Sequence, residues 1–124
     1  MAALRWGIKK SLHEYVRSSE GSIETSDGAR LDGDEVIFPA DDAGEDAFTG
    51  SVRFVAHGGM MDWRLASPHL EGRGTALSLA GRRGTRVEFA TIDGGEARLT
   101  VDGAVMLGGF YPAGTVLDPV RFEE

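Results

Sequence analysis

Three side chains stand out as able to act together: Ser11, Tyr15 and His57. Ile8, Leu12 and Val16 recur at helical spacing, so Ser11 and Tyr15, four residues apart, share one helix face at the border of an apolar stripe. His57 is the last residue before Gly58-Gly59, where a side chain projects at the rim of a sheet. A phenol, a small hydroxyl and an imidazole beside apolar surface could hold a flat apolar ligand with a metal centre. Spacing alone favours a plainer alternative, in which Tyr15 anchors its helix and His57 flanks a surface turn. Both readings stay open on that ground.

Other chemistry finds less support. There is no Gly-x-Ser-x-Gly elbow, no His-Glu-x-x-His pair and no phosphate-binding glycine loop ahead of a helix, so the sequence does not read as an enzyme. His13, His57 and His69 are too scattered for a histidine metal cluster. The absence of cysteine excludes disulfides, thiolate nucleophiles and Cys-ligated zinc or iron–sulfur centres. Half of the 20 acidic residues fall between Glu20 and Asp46. A calcium site around Asp32-Gly33-Asp34-Glu35 is conceivable there, but the EF-hand loop pattern is missing. A net charge of −7 argues against nucleic acid as a partner. No apolar run approaches the ~20 residues needed for membrane insertion. The N-terminus lacks the apolar stretch of roughly 7–15 residues found in a signal peptide, which makes an intracellular location the expectation.

The elements that must position these groups can be read from periodicity. One helix is expected over about Gly7 to Ser18, entered from an extended Leu4–Trp6. Lys10, His13 and Arg17 fall on its far side; His13, about 160° around from Ser11 and Tyr15, is expected to be solvated. From Phe48 the period switches to two, and a Gly-Gly hairpin follows His57. Its register pairs Ala56 with Met61, Phe54 with Trp63 and Val52 with Leu65, apolar against apolar. Further strands are expected at 22–25, 35–39, 74–79, 85–92, 97–101 and 104–107, with Asp93-Gly94-Gly95 and Asp102-Gly103 as turns. Trp6, Trp63, Met60 and Met61 are assigned to packing. The fold class that results is mainly β: one antiparallel sandwich or barrel-like domain over residues 1–124, with an N-terminal helix packed against it.

The N-terminal stretch Leu4-Arg5-Trp6-Gly7-Ile8-Lys9-Lys10-Ser11-Leu12-His13-Glu14-Tyr15-Val16 closely resembles the opening of the HtaA-type bacterial haem-binding domain. That family begins Trp-Gly-(Val/Ile)-Lys-x-Ser-(aromatic/Leu)-x-x-Tyr-Val. Gly50-Ser51-Val52-Arg53-Phe54-Val55-Ala56-His57-Gly58-Gly59-Met60-Met61-Asp62 is similar to its second signature, Gly-x-Val-x-Phe-x-x-His-x-Gly-x-(Leu/Met)-Asp. The Pro68 region and the closing Phe110–Pro119 segment are similar to family elements as well, whereas residues 69–106 show no match.

The resemblance implies a β-sandwich-like fold and ferric haem b as cofactor. Tyr15 would be the axial ligand to the iron, His57 would bond to the phenolic oxygen, and Ser11 would lie in the pocket. An aromatic of the C-terminal segment would line the site, Phe110 ahead of Tyr111. A free phenol ionises only near pH ~10, so ferric iron and a hydrogen bond from His57 would both be needed to favour the anion at neutral pH. Lys9, Arg17 and Arg53 are the cations available for haem propionates. The implied function is haem holding or transfer without catalysis, with haem donor or acceptor proteins as partners and a homodimer as a possible assembly. Family members usually work at the cell envelope. The alternative is a protein-interaction or scaffold module that keeps the fold without haem.

Overall fold

A computed structural model describes residues 2–42 and 44–123. The extended start becomes β1 (Ala3–Trp6), and helix α1 follows (Lys10–Ser18). Then come β2 (Ser22–Ser26), β3 (Arg30–Asp32), β4 (Glu35–Pro39), β5 (Ser51–Ala56) and β6 (Met61–Ala66). The second half contains β7 (His69–Glu71), β8 (Ala76–Ala80), β9 (Arg86–Asp93), β10 (Glu96–Leu99), helix α2 (Val101–Met106), β11 (Val116–Leu117) and β12 (Arg121–Glu123). Three antiparallel sheets form, in the orders β12-β1-β4-β3, β2-β5-β6 and β11-β10-β9-β8-β7. A single buried apolar cluster links all three, running from Leu4 and Phe38 through Val52 and Phe54 to Leu77 and Phe89. This is the mainly β, helix-backed architecture that the periodicities predict. Among the described residues no helix is long and apolar enough to cross a membrane.

The β5–β6 hairpin has the expected register: Ala56 faces Met61, Phe54 faces Trp63 and Val52 faces Leu65. Its turn closes through Met60 N–H donating to His57 O at 3.2 Å. Gly58 and Gly59 carry φ of 66° and 97°, the doubly left-handed turn whose twist matches that of paired strands. His57 itself lies at φ 55°, so the backbone already bends before the glycines.

Helix α1 begins at Lys10 rather than Gly7, because Ile8 is left-handed (φ 66°) and Lys9 is extended. Leu12 and Val16 are fully buried, each contributing about 1.5–3 kcal/mol of apolar burial. After the helix, Gly21 lies so close to the Val55 carbonyl and the Val16 side chain that no Cβ fits. That close approach turns the chain into β2 and sets α1 against the β2–β5 pair.

The main departure is at 97–107. The strand ends at Leu99, and residues expected as a turn and a strand form α2 instead. Thr100 caps the helix, its Oγ1 accepting from Gly103 N–H at 2.9 Å. Only glycine fits at position 103, since any Cβ would run into the Phe89 carbonyl beside it. Val101 and Val105, whose β-branching suggests a strand, point to solvent, where packing does not enforce that preference. Strands β3, β7, β11 and β12, each of two or three residues, are additional to those expected.

Candidate functional site

The α1 face and the hairpin rim meet. Tyr15 Oη and His57 Nε2 lie 2.6 Å apart, although the residues come from different elements. Either the phenol donates to the imidazole nitrogen or a protonated Nε2 donates to the phenol oxygen. The two rings meet edge-on at 5.6 Å. Tyr15 is half-buried and packs against the apolar cluster, whereas His57 is exposed. Backbone geometry explains the approach: the left-handed bend at His57 lifts its side chain off the sheet rim, and Gly21 brings α1 up against β5.

Phe110 completes an aromatic face. Its ring is 4.8 Å from Tyr15, 5.6 Å from Trp63 and 5.0 Å from Tyr111, each in edge-to-face geometry. Phe110 remains 40% exposed, so the face opens to solvent instead of closing into a core. It follows α2 through Gly108 and Gly109, both at positive φ, and Gly108 lies against the Trp63 ring. Ser11 Oγ and Tyr111 Oη are 2.7 Å apart, fastening the C-terminal segment to α1 one turn before Tyr15. Burial pushes the Tyr111 phenol above the usual tyrosine range, partly offset by its bond to Ser11. The structure therefore brings Ser11, Tyr15, His57 and Phe110 together. Tyr111, the second choice behind Phe110, lies beside it, and the structure adds Trp63, which is half-buried at the site and not simply part of the core.

The cations considered for propionates are engaged elsewhere. Lys9 Nζ donates to Val116 O at 2.7 Å. Arg17 pairs with Asp34 at 2.6 Å, holding that carboxyl below the usual carboxylate range. Arg53 makes a two-pronged contact with Asp62, and likewise depresses its pKa.

Several expectations are corrected. His13 is not solvated: it is fully buried, with Nε2–H donating to Gly7 O at 2.7 Å and its ring edge-on to Phe54. The chain leading into α1 covers what the isolated helix would present to water. Met60 is not a packing residue but 91% exposed at the hairpin tip, while its neighbour Met61 is buried. The acidic group considered for calcium is taken up by arginines: Asp32 pairs with Arg5, Asp34 with Arg17, and Glu35 with both Arg5 and Arg121. Among the described residues no three His, Cys, Asp or Glu side chains gather as an ion cage. His69 lies on β7 opposite Ser78, and burial lowers its pKa.

Fold and site together define a small antiparallel β domain that displays a phenol–imidazole pair on an open aromatic face. The HtaA family model ("Htaa") matches residues 1–83, more than half of the chain, so the chain belongs to that family. Among solved structures, the N-terminal domain of HtaA from Corynebacterium glutamicum is similar at a TM-score of 0.74 and 22% identity, covering 96% of this chain and 93% of that one. The C-terminal domain of the same protein gives 0.69 and 22%, covering 96% and 92%. The heme binding protein HtaB from the same organism gives 0.68 and 20%, covering 95% and 89%. At these identities the likeness establishes the fold. No curated protein sequence matches the chain.

Proposed function

We propose that this domain binds ferric haem b, with the Tyr15 oxygen as axial ligand and the His57 imidazole donating a hydrogen bond to it. The observation that carries the reading is the 2.6 Å Tyr15–His57 contact on an exposed aromatic face. The donor set suits the group: a hard anionic oxygen favours Fe(III), an imidazole N–H stabilises the anion, and Phe110 and Trp63 offer apolar surface to a flat macrocycle. Haem supplies the Lewis-acidic iron that makes the phenolate the preferred form of Tyr15. Ser11 and Tyr111 set the polar edge of the face through their mutual hydrogen bond. Membership of the HtaA family and the fold shared with a protein described as heme binding support the proposal.

An open face suits a carrier, because haem can enter and leave without the domain unfolding around it. We therefore place the domain in haem holding and transfer, with haem donor or acceptor proteins as partners, and assign it no catalysis. Residues 1–124 act as one binding unit in this reading. Titration with hemin tests it: the native chain develops a ferric-haem absorbance band that Tyr15→Phe lacks. Equal binding by both proteins removes Tyr15 from its role.

A further inference from the structure

We infer that His13, which lies outside the ligand face, is the positioning residue that holds α1 in the orientation presenting Ser11 and Tyr15. The inference builds on the site reading above. It begins with an irregularity at the start of the helix. Lys9 N–H donates to Gly7 O at 2.8 Å across the single residue Ile8, whose φ is 66°. This is the positive-φ form of the γ-turn, which is rare and strained. A β-branched residue in the left-handed region is an outlier, and Ile8 is also fully buried. Such geometry persists only where its surroundings over-determine it.

The surroundings can be named. Gly7 threads so close to the Asp34 backbone carbonyl and the Asp118 carboxylate that no Cβ fits. Asp118 N–H donates to Ile8 O at 2.9 Å, and Trp6 Nε1–H donates to Asp118 O at 2.9 Å. Lys9, at the N-cap, provides no side-chain cap. His13 reaches back from within α1 to place a second hydrogen bond on Gly7 O, the carbonyl that closes the turn. A carbonyl only accepts, so Nε2–H is the donor, and Nδ1 is left on the other edge of the ring. That Nδ1 is buried without a partner.

An unpaired buried polar atom costs stability that a leucine or phenylalanine at the same place would not. What the imidazole contributes in return is the clamp on Gly7. Without it, Ile8 is free to relax toward a right-handed conformation, which shifts the first turn of α1. Ser11 then moves relative to Tyr111, and Tyr15 relative to His57. Both contacts are short hydrogen bonds, 2.7 and 2.6 Å, which a shift of about an ångström breaks.

The test uses the full chain without haem and then with hemin. In His13→Leu, nuclear Overhauser contacts between the Tyr15 and His57 rings weaken, and protection of the Lys9 and Asp118 amides from hydrogen exchange falls about tenfold, the scale of one buried hydrogen bond. Hemin dissociation accelerates by about the same factor. His13→Gln, which keeps an N–H on a side chain of similar reach, restores the ring contacts and most of the protection. A folded His13→Leu with native ring contacts and native protection overturns the inference. If His13→Leu does not fold, His13→Gln decides: retained ring contacts support the clamp, and their loss in a folded protein overturns it. The exchange and ring-contact readouts need no haem, so failure of hemin binding in the native chain counts against the proposed function and not against this inference.

Discussion

In the proposed haem site, removing the His57 imidazole would separate the Tyr15 ligand from its support. The 2.6 Å contact to Tyr15 is a charge-assisted bond once the phenol is ionised, and such bonds contribute about 1.5–3 kcal/mol. His57 is exposed, so solvent competes for the same oxygen and the lower end applies. A loss of about 1.5 kcal/mol corresponds to roughly tenfold weaker hemin binding. Backbone conformation must be controlled for, because His57 sits at φ 55°, a region that asparagine tolerates and alanine does not. His57→Asn is therefore the cleaner variant: it keeps the bend and the Gly58-Gly59 turn while removing the imidazole. His57→Ala adds the backbone cost and should lower the melting temperature more. Hemin titration followed in the absorbance band, with transfer to a haem scavenger for the off-rate, measures both. Affinity within threefold of native in both variants refutes the support role. A loss as complete as that caused by removing Tyr15 refutes the division of labour between the two residues.

Two other perturbations follow from the geometry. Gly103→Ala gains up to about 1 kcal/mol of helix propensity in α2 but drives a methyl into the Phe89 backbone carbonyl, an overpacking that costs about 1–3 kcal/mol and cannot be relieved by a rotamer change. The clash should win and the melting temperature fall; a rise would show that α2 can slide freely. Tyr111 has its pKa raised by burial, so between pH ~10 and its folded value the native chain keeps a proton that the unfolded chain has lost. That part of the stability is present below the unfolded pKa and disappears as pH rises through the folded one. Denaturant titrations across that window should show an alkaline loss that is smaller in Tyr111→Phe; an identical slope in both proteins would contradict it.

The parts of this molecule legible in its sequence are those fixed by local pattern. The hairpin register follows from alternation on both sides of Gly58-Gly59, and it alone puts His57 at a rim. Leu12 and Val16 fix which edge of α1 carries Ser11 and Tyr15, whereas Ile8, read as part of the same stripe, lies before the helix. What is not legible depends on contacts that the periodicity of a single element does not contain. Helical periodicity predicts a solvated His13 because it contains nothing of the chain at Gly7, which folds over that face and uses the imidazole. Helix α2 is masked in the sequence by Val101 and Val105, whose strand preference carries little weight on an exposed surface; its local signal is the Thr100 cap. Trp63 sits between two roles, apolar enough for a core and placed by its strand beside Phe110. The arginine partners of Asp32, Asp34 and Glu35 come from β1, α1 and β12, so no local reading of that acidic loop reveals them.

Electronic spectra of the hemin-loaded chain and of Tyr15→Phe, taken with matched circular dichroism, address the phenolate–iron bond itself. Ligation by Tyr15 should give one haem per native chain with phenolate-to-iron charge-transfer absorption, and loss of that absorption in a Tyr15→Phe protein whose β-sheet signal is unchanged. The same spectrum and the same stoichiometry in both proteins would contradict it.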